Sequence, residues 1–404
     1  MSPRRAEDLV GLVADRAAGP DPVCLFVHDL VALRGHVGRV VDSLPAPCAM
    51  YYAVKANSAA PVLRTLAPLV AGFEAASGGE VDKVRAVSAD APILLGGPAK
   101  TPAALRTALT SGVVRVHAES VLELHRTSRA ATELGMEVEV ALRVNLRDPF
   151  PEATLAMAGR PTPFGVAEDD LPAAVAAATT LPGLRLTGFH LHSLSNNLSA
   201  TAHLGVLGRY RDTVLGWERR FGVQVGVLDV GGGIGVDYAR PASPFDWAAF
   251  TAGLHDWVAT LPPHWREIQF ECGRYLAADC GRYVVEVMDV RTNHGVSYAL
   301  VRGGSHHLRL PSSWQHSHPF HVVPVDRWDV AAPRPEVRDG RVTVVGELCT
   351  PKDVLARDVE VGRLRAGDVL VFEQAGAYGW DISHHDFLSH PHPEQVYLAG
   401  PDGP

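Results

Sequence analysis

From about residue 24 to residue 271, short apolar runs alternate with amphipathic stretches of helix length. Runs at 24–28, 51–54, 92–97, 113–116, 137–144, 184–191, 225–230 and 268–271 have strand length, as does the run ending at Glu74. Between them, 30–41, 60–69, 81–87, 101–111, 120–134, 171–179, 201–221 and 245–260 carry helical spacing, with Asp29 placed as the N-cap of the first. A strand buried on both faces reads as a continuous apolar run, and strand–helix alternation calls for a parallel sheet. This many repeats predicts a (β/α)₈ TIM-like barrel, with a doubly wound open sheet as the alternative. After about Arg274 the pattern changes to strands at 283–290, 296–301, 342–345, 358–361 and 368–372, separated by Gly, Pro and Asp turns. That reads as a second, antiparallel β domain. The His-, Pro- and Trp-rich stretch 311–335 reads as a long loop. The expected domains are a barrel over 22–275 and a β-rich domain made of 1–21 and 276–404.

Composition removes several classes of function. A net charge of −8 over 404 residues offers no electrostatic footprint for nucleic acid. No apolar run reaches the roughly 18 residues of a membrane span. The start Met1-Ser-Pro-Arg-Arg is followed by Ala6-Glu-Asp rather than the apolar core of a signal peptide. Five cysteines without paired spacing suit a reducing, cytoplasmic setting and neither a disulfide framework nor a zinc site. Several of the 19 histidines fall between His306 and His321, but no ligand spacing supports a metal there.

In a barrel, chemistry collects at the C-terminal ends of the strands. Lys55 ends one apolar run, Glu74 and Ser77 another, and Arg143 and Asn145 a third. His190, His192 and Ser195 follow the 184–191 run, Gly231-Gly232-Gly233 follows 225–230, and Glu271-Cys-Gly273-Arg274 follows the last. A lysine at the end of an apolar strand has two readings. It snorkels to water, or it is desolvated and forms a Schiff base with an aldehyde. Three glycines are either a plain loop or a cradle whose N–H groups converge on a phosphate. They form neither a Walker loop nor a dinucleotide fingerprint. Taken together, the lysine, the glycines with Ser195, an imidazole for a ring face (His192) and a carboxylate for a pyridine nitrogen (Glu271) describe a pyridoxal phosphate site.

Seven motifs carry a family likeness. They are Tyr52-Ala-Val-Lys55-Ala-Asn, Phe73-Glu-Ala-Ala-Ser77-Gly-Gly-Glu80, Gly188-Phe-His-Leu-His192-Ser-Leu-Ser195, Asp229-Val-Gly-Gly-Gly-Ile, Glu271-Cys-Gly-Arg274, Gly346-Glu-Leu-Cys349-Thr-Pro-Lys-Asp353 and Gly376-Ala-Tyr378. In this order, over nearly the whole chain, they resemble the fold-type III pyridoxal phosphate decarboxylases of ornithine, arginine and diaminopimelate. The resemblance implies a barrel plus β domain and a homodimer with shared active sites. It also implies decarboxylation, with Lys55, His192 and Cys349 catalytic and Cys349 and Asp353 reaching in from the partner. Glu74, Arg143, Ser195, Gly231–Gly233, Glu271, Gly273, Arg274 and Tyr378 would bind the cofactor.

The departures bear on substrate. Relatives that bind a distal ammonium carry an acid after the cysteine, where this chain has Thr350. Their Lys-Phe-Gly is Pro163-Phe-Gly, and their Glu-Pro-Gly-Arg is Glu271-Cys-Gly-Arg. Lys352, Arg302, Arg309, His306 and His307 offer cationic or donor groups instead. A distal end that carries carboxylate or is acylated suits such a site. The run His192-Ser-Leu-Ser-Asn-Asn-Leu resembles a subgroup from carboxylate siderophore biosynthesis, which acts on amino acids already joined to citrate. The alternatives are an ordinary ornithine- or diaminopimelate-type decarboxylase, an amino-acid racemase, and a non-catalytic regulator that keeps the fold.

Overall fold

A computed structural model describes residues 3–147, 155–156 and 161–400. Residues 1–2 and 401–404, assigned above to the β domain, lie outside the described residues. Eight parallel strands form a closed ring: Cys48–Ala53, Gly72–Ala75, Ile93–Leu95, Arg115–Ala118, Val138–Asn145, Leu184–His190, Val227–Asp229 and Glu267–Cys272. The last pairs with the first, Glu271 opposite Tyr51 and Cys272 opposite Tyr52, which closes the barrel and rules out an open doubly wound sheet. Five of the connecting helices start at side-chain caps. Ser77, Thr101, Ser120, Ser199 and Asp246 each accept the N–H of the residue three further on. Asp29 caps the Leu30–Asp42 helix, accepting from Val31 and Ala32.

The barrel interior departs from the usual plug of branched aliphatics. Arg115, His117, Thr187, His190, Asp229, Gln269 and Glu271 are all buried. Arg115 donates to Thr187 Oγ1 at 3.1 Å and to Glu139 at 2.7 Å.

The chain divides into two compact units. One comprises 34–236 and 244–276; the other comprises 1–33, 237–243 and 277–404. The expected barrel start at residue 22 is therefore corrected. The strand Cys24–Asp29 runs antiparallel to Gly281–Asn293 and parallel to Glu394–Leu398, so it belongs to the second unit's sheet. Periodicity gave no warning, because an apolar run carries no label for its partner.

The second unit orders its strands Phe320–Val323, Val369–Phe372, Gly281–Asn293, Val296–Val301, Glu336–Val345 and Val354–Arg365. Its core gathers Phe26, Tyr283, Val285, Leu308, Leu355 and Phe372. The purely antiparallel expectation is also corrected. Val296–Val301 and Glu336–Val345 pair in parallel, because the long excursion between them returns the chain in its original direction. That excursion is not all loop: Leu310–Trp314 is a short helix, and Phe320–Val323 pairs with Val369–Phe372. The histidines and prolines there mask an edge strand.

Candidate active site

Lys55 lies in the short 3-10 turn Val54–Ala56 that ends the first barrel strand. Val54 and Ala56 are buried, so the turn directs the lysine away from the core, and its side chain stays 44% exposed. It forms an ion pair with Glu74, whose carboxylate is buried at the end of the second strand. A carboxylate partner and partial solvent thus surround the amine. Gly273, just past the eighth strand, lets that strand end close on the Lys55 turn. A Cβ there would lie 2.7 Å from Ala56 Cβ.

The three glycines follow the seventh strand. Gly231 and Gly233 have φ of +66° and +94°, a region that side chains rarely adopt. A Cβ at Gly231 would fall 2.3 Å from His192 Nδ1, and one at Gly232 would fall 2.2 Å from the Glu271 carbonyl oxygen. The loop thus leaves backbone where a side chain would otherwise stand. The Gly232 N–H donates to His192 Nδ1 at 3.1 Å. That fixes the tautomer, since an accepting Nδ1 leaves the proton on Nε2. Burial, then Arg143 and His190, push His192 down to about 3, so it is neutral at pH 7. Ser195 is half-buried in the short strand Leu194–Ser195.

Arg143, near the end of the fifth strand, donates to Glu119 at 2.9 Å and lies 5.0 Å over the Phe164 ring. Glu119 also accepts the Gly165 N–H at 2.8 Å. The altered Pro163-Phe-Gly segment therefore still seats the arginine. Glu271 ends the eighth strand with Oε2 3.3 Å from His190 and Oε1 3.4 Å from His117. Arg274 is buried at the start of the next helical turn. Glu80 braces its helix, accepting the Ala76 N–H while Ser77 accepts that of Glu80.

The structure thus gathers Lys55, Glu74, Arg143, His192, Gly231–Gly233, Glu271 and Gly273 at one end of the barrel. Lys55, Arg143 and Glu271 all bear electrostatically on His192. Two buried residues at that end, His117 and Asp229, were not singled out as site residues. Their signal was period two: Arg115, His117 and Glu119 alternate onto one strand face. Asp229 also stands directly before the glycines.

The second unit carries the other candidates. Cys349 is exposed, Thr350 half-buried and Lys352 exposed. Asp353 is buried, and its carboxylate accepts the N–H groups of Ser305 at 2.6 Å and Leu348 at 2.9 Å. It braces the Cys349 turn. His306 and His307 are fully buried and have no surface to offer a substrate. His306 faces Glu347, and His307 faces Tyr283. Arg302 pairs with Glu347 and donates to the Pro391 carbonyl, so its charge is matched within its own unit. Tyr378 has a φ of +53°. Glu347 went unnoticed on sequence, and it is the acid on which Arg302, His306 and His390 converge. Among the described residues, the one group of side chains close enough to share a cation is His117, His190, Asp229 and Glu271, not the 306–321 tract.

Residues 31–278 match the family model of the pyridoxal-dependent decarboxylases' pyridoxal binding domain. The chain belongs to the pyridoxal-dependent decarboxylases. Within this family it is 44% identical over 378 residues, 94% of each chain, to a 2-[(L-alanin-3-ylcarbamoyl)methyl]-2-hydroxybutanedioate decarboxylase of Staphylococcus aureus. It is 32% identical to a diaminopimelate decarboxylase of Pseudomonas aeruginosa, over 92% of this chain and 86% of that one. The diaminopimelate decarboxylase of Helicobacter pylori, solved with L-lysine, superposes with a TM-score of 0.80 at 22% identity, covering 94% of this chain and 92% of that one. That last likeness shows a shared barrel-plus-β fold. As a pyridoxal-dependent decarboxylase the chain is a carboxy-lyase that uses pyridoxal 5'-phosphate. The residues present fit that group: a lysine on a strand end, a backbone cradle that Cβ atoms would fill, a neutral imidazole and a buried carboxylate.

Proposed function

We propose that this decarboxylase acts on an amino acid whose distal nitrogen is acylated by a citrate-type tricarboxylate, a step of siderophore assembly. The observation that carries the reading is the state of the acids around Cys349. Thr350 stands where a distal ammonium would need a carboxylate, and its hydroxyl accepts the Lys352 N–H at 3.3 Å. Glu347 is taken up by Arg302, and Asp353 by backbone N–H groups. No acid in the 346–353 segment is left to pair with an ammonium, and an unpaired charge is heavily penalised. Lys352 supplies an exposed cation for carboxylates, where charge-assisted hydrogen bonds are the stronger kind. The name of the Staphylococcus aureus relative describes a substrate of this chemistry, an alanine joined through its third carbon to a hydroxybutanedioate.

Bound pyridoxal phosphate supplies an aldehyde for the Lys55 amine and a ring that takes up the electron pair left by the departing carboxylate. Gly231–Gly233, Ser195 and Arg274, with Tyr378, would hold the phosphate, and Arg143 bears on His192. His192 would lie against the ring as a neutral imidazole. Glu271 would meet the ring nitrogen, and Glu74 orients Lys55 through their ion pair. Cys349 would return a proton to Cα after carbon dioxide leaves.

Specificity constants decide the substrate. The citrate-linked diaminopropionate amide is expected to exceed free ornithine, lysine and diaminopimelate by roughly 100-fold or more. Thr350→Asp should lower the amide's constant about tenfold by placing like charge beside its carboxylates. A higher constant for free ornithine or diaminopimelate would replace this reading with an ordinary basic amino-acid decarboxylase.

We also place the enzyme in the cytoplasm as a homodimer in which Cys349 of one chain serves Lys55 of the other. Five free cysteines suit a reducing compartment. Among the described residues, no helix is long and apolar enough to cross a membrane. Mixing inactive Lys55→Ala and Cys349→Ala chains should restore about a quarter of wild-type activity, from the hybrid site that holds both groups. No recovery despite demonstrated subunit exchange would count against the shared site.

A further inference from the structure

Four ionisable side chains meet inside the barrel, each from a different strand. They are His117 on the fourth strand, His190 on the sixth, Asp229 on the seventh and Glu271 on the eighth. One nitrogen or oxygen of each lies within 4.8 Å of the others, and all four residues are buried. His117 sits between the two carboxylates. Its Nε2 faces Asp229 Oδ2 at 3.4 Å, and its Nδ1 faces Glu271 Oε1 at 3.4 Å. A cation would ask each residue to aim one atom at a common point. His117 instead turns a different nitrogen to each acid, the geometry of a bridge.

The proton count follows from the contacts. Two carboxylates this close, away from water, do not both ionise. Asp229 Oδ1 already accepts the Gly231 N–H at 2.8 Å, so a proton on Asp229 belongs on Oδ2. That oxygen faces His117 Nε2, which then accepts, leaving the imidazole's own proton on Nδ1, toward Glu271. Asp229 Oδ2, both nitrogens of His117 and Glu271 Oε1 are otherwise buried without a hydrogen-bond partner. One proton placed on Asp229 gives all four a partner.

We propose that His117 is a positioning residue that links a protonated Asp229 to an ionised Glu271 and so holds the Glu271 carboxylate, charged and oriented, for the cofactor's ring nitrogen. This rests on the assignment of Glu271 to that nitrogen. Burial, then the charge of Glu271, raises the Asp229 carboxyl well above its usual range. Burial also pushes Glu271 up, but His190, by charge and by hydrogen bond, and Lys55 act against it, and its carboxyl lies well below the usual range. Burial, then His190, keeps His117 neutral, with Arg115 and Lys100 acting in the same direction against the charge of Glu271.

The test uses holoenzyme labelled with ¹³C-aspartate. Infrared spectra at neutral pH should show one protonated carboxyl, absent in Asp229→Asn and shifted in His117→Phe, where its acceptor is gone. His117→Phe should release the cofactor about 10- to 100-fold faster on dilution, the effect of losing a hydrogen bond to a charged group. His117→Asn, whose amide can stand near the Nδ1 position, should recover most of that loss. Absence of the Asp229 band in wild type would overturn the bridge, whatever the variants' folding. So would a stoichiometric metal ion that disappears with His117→Phe, or a His117→Phe enzyme that holds cofactor as tightly as wild type. Cofactor attached away from Lys55 would sink the functional reading instead, and the carboxyl band would still decide the protonation.

Discussion

Lys55→Ala is expected to leave a folded protein that still takes up pyridoxal phosphate but releases carbon dioxide at least roughly 10³-fold more slowly. The lysine closes no core: its side chain is 44% exposed and its turn is held by buried Val54 and Ala56. The structural cost of removing it falls on Glu74, a buried carboxylate that loses its ion pair. Lys55→Arg separates the two roles. It returns a cation to Glu74 without an amine able to join a carbonyl, so stability should recover and activity should not. Direct evidence comes from borohydride reduction of wild-type enzyme followed by peptide mass spectrometry, with the cofactor expected on the Lys55 peptide. Label on Lys100, Lys352 or another lysine would end the cofactor assignment.

Gly232→Ala should be nearly as damaging by a different route. Its Cβ would stand 2.2 Å from the Glu271 carbonyl oxygen and 3.0 Å from the carbonyl carbon. Neither side can give way easily, because the Glu271 N–H is bonded to the Gly231 oxygen at 2.8 Å across the same gap. Overpacking against side chains alone costs about 1–3 kcal/mol, and here the neighbour is backbone. The variant should lose cofactor affinity by roughly 100-fold, a shift of about 2.7 kcal/mol. Its melting temperature should also fall. Gly208→Ala is the control: nothing lies within 4 Å of its added Cβ, and it sits within a helix. It should be neutral or slightly stabilising. Equal cofactor titrations for wild type and Gly232→Ala would show that the loop does not hold the phosphate.

The barrel was legible because its strands are buried on both faces and read as continuous apolar runs between stretches of helical spacing. Asp29 marks a helix entry that the structure keeps. Lys55, His192, Gly231–Gly233 and Glu271 were legible because each breaks an apolar pattern at a strand end. Three things were not. The partner of the Cys24–Asp29 strand lies some 250 residues away and leaves no local trace. His306, His307 and Asp353 look like ligand-binding groups in sequence, yet each is committed to neighbours inside the second unit. The polar barrel interior escaped because a buried His117 or Asp229 looks, in one dimension, like any polar residue near a strand end.

The discontinuous sheet has a consequence for biosynthesis. The Cys24–Asp29 strand must pair with Gly281–Asn293 on one edge and with Glu394–Leu398 on the other. At roughly 5–20 residues per second, its first partner emerges from the ribosome on the order of 10–50 s later and the second later still. Through that interval a nascent chain displays Leu25, Phe26 and Val27 with both strand edges open, a template for wrong pairing. Every residue of 34–236 and 244–276, by contrast, has been synthesised once position 276 has emerged. Ribosome-stalled chains ending near residue 320 should therefore protect the barrel from protease while leaving residues 1–33 cleavable, and the second unit should close only after residue 398 is free.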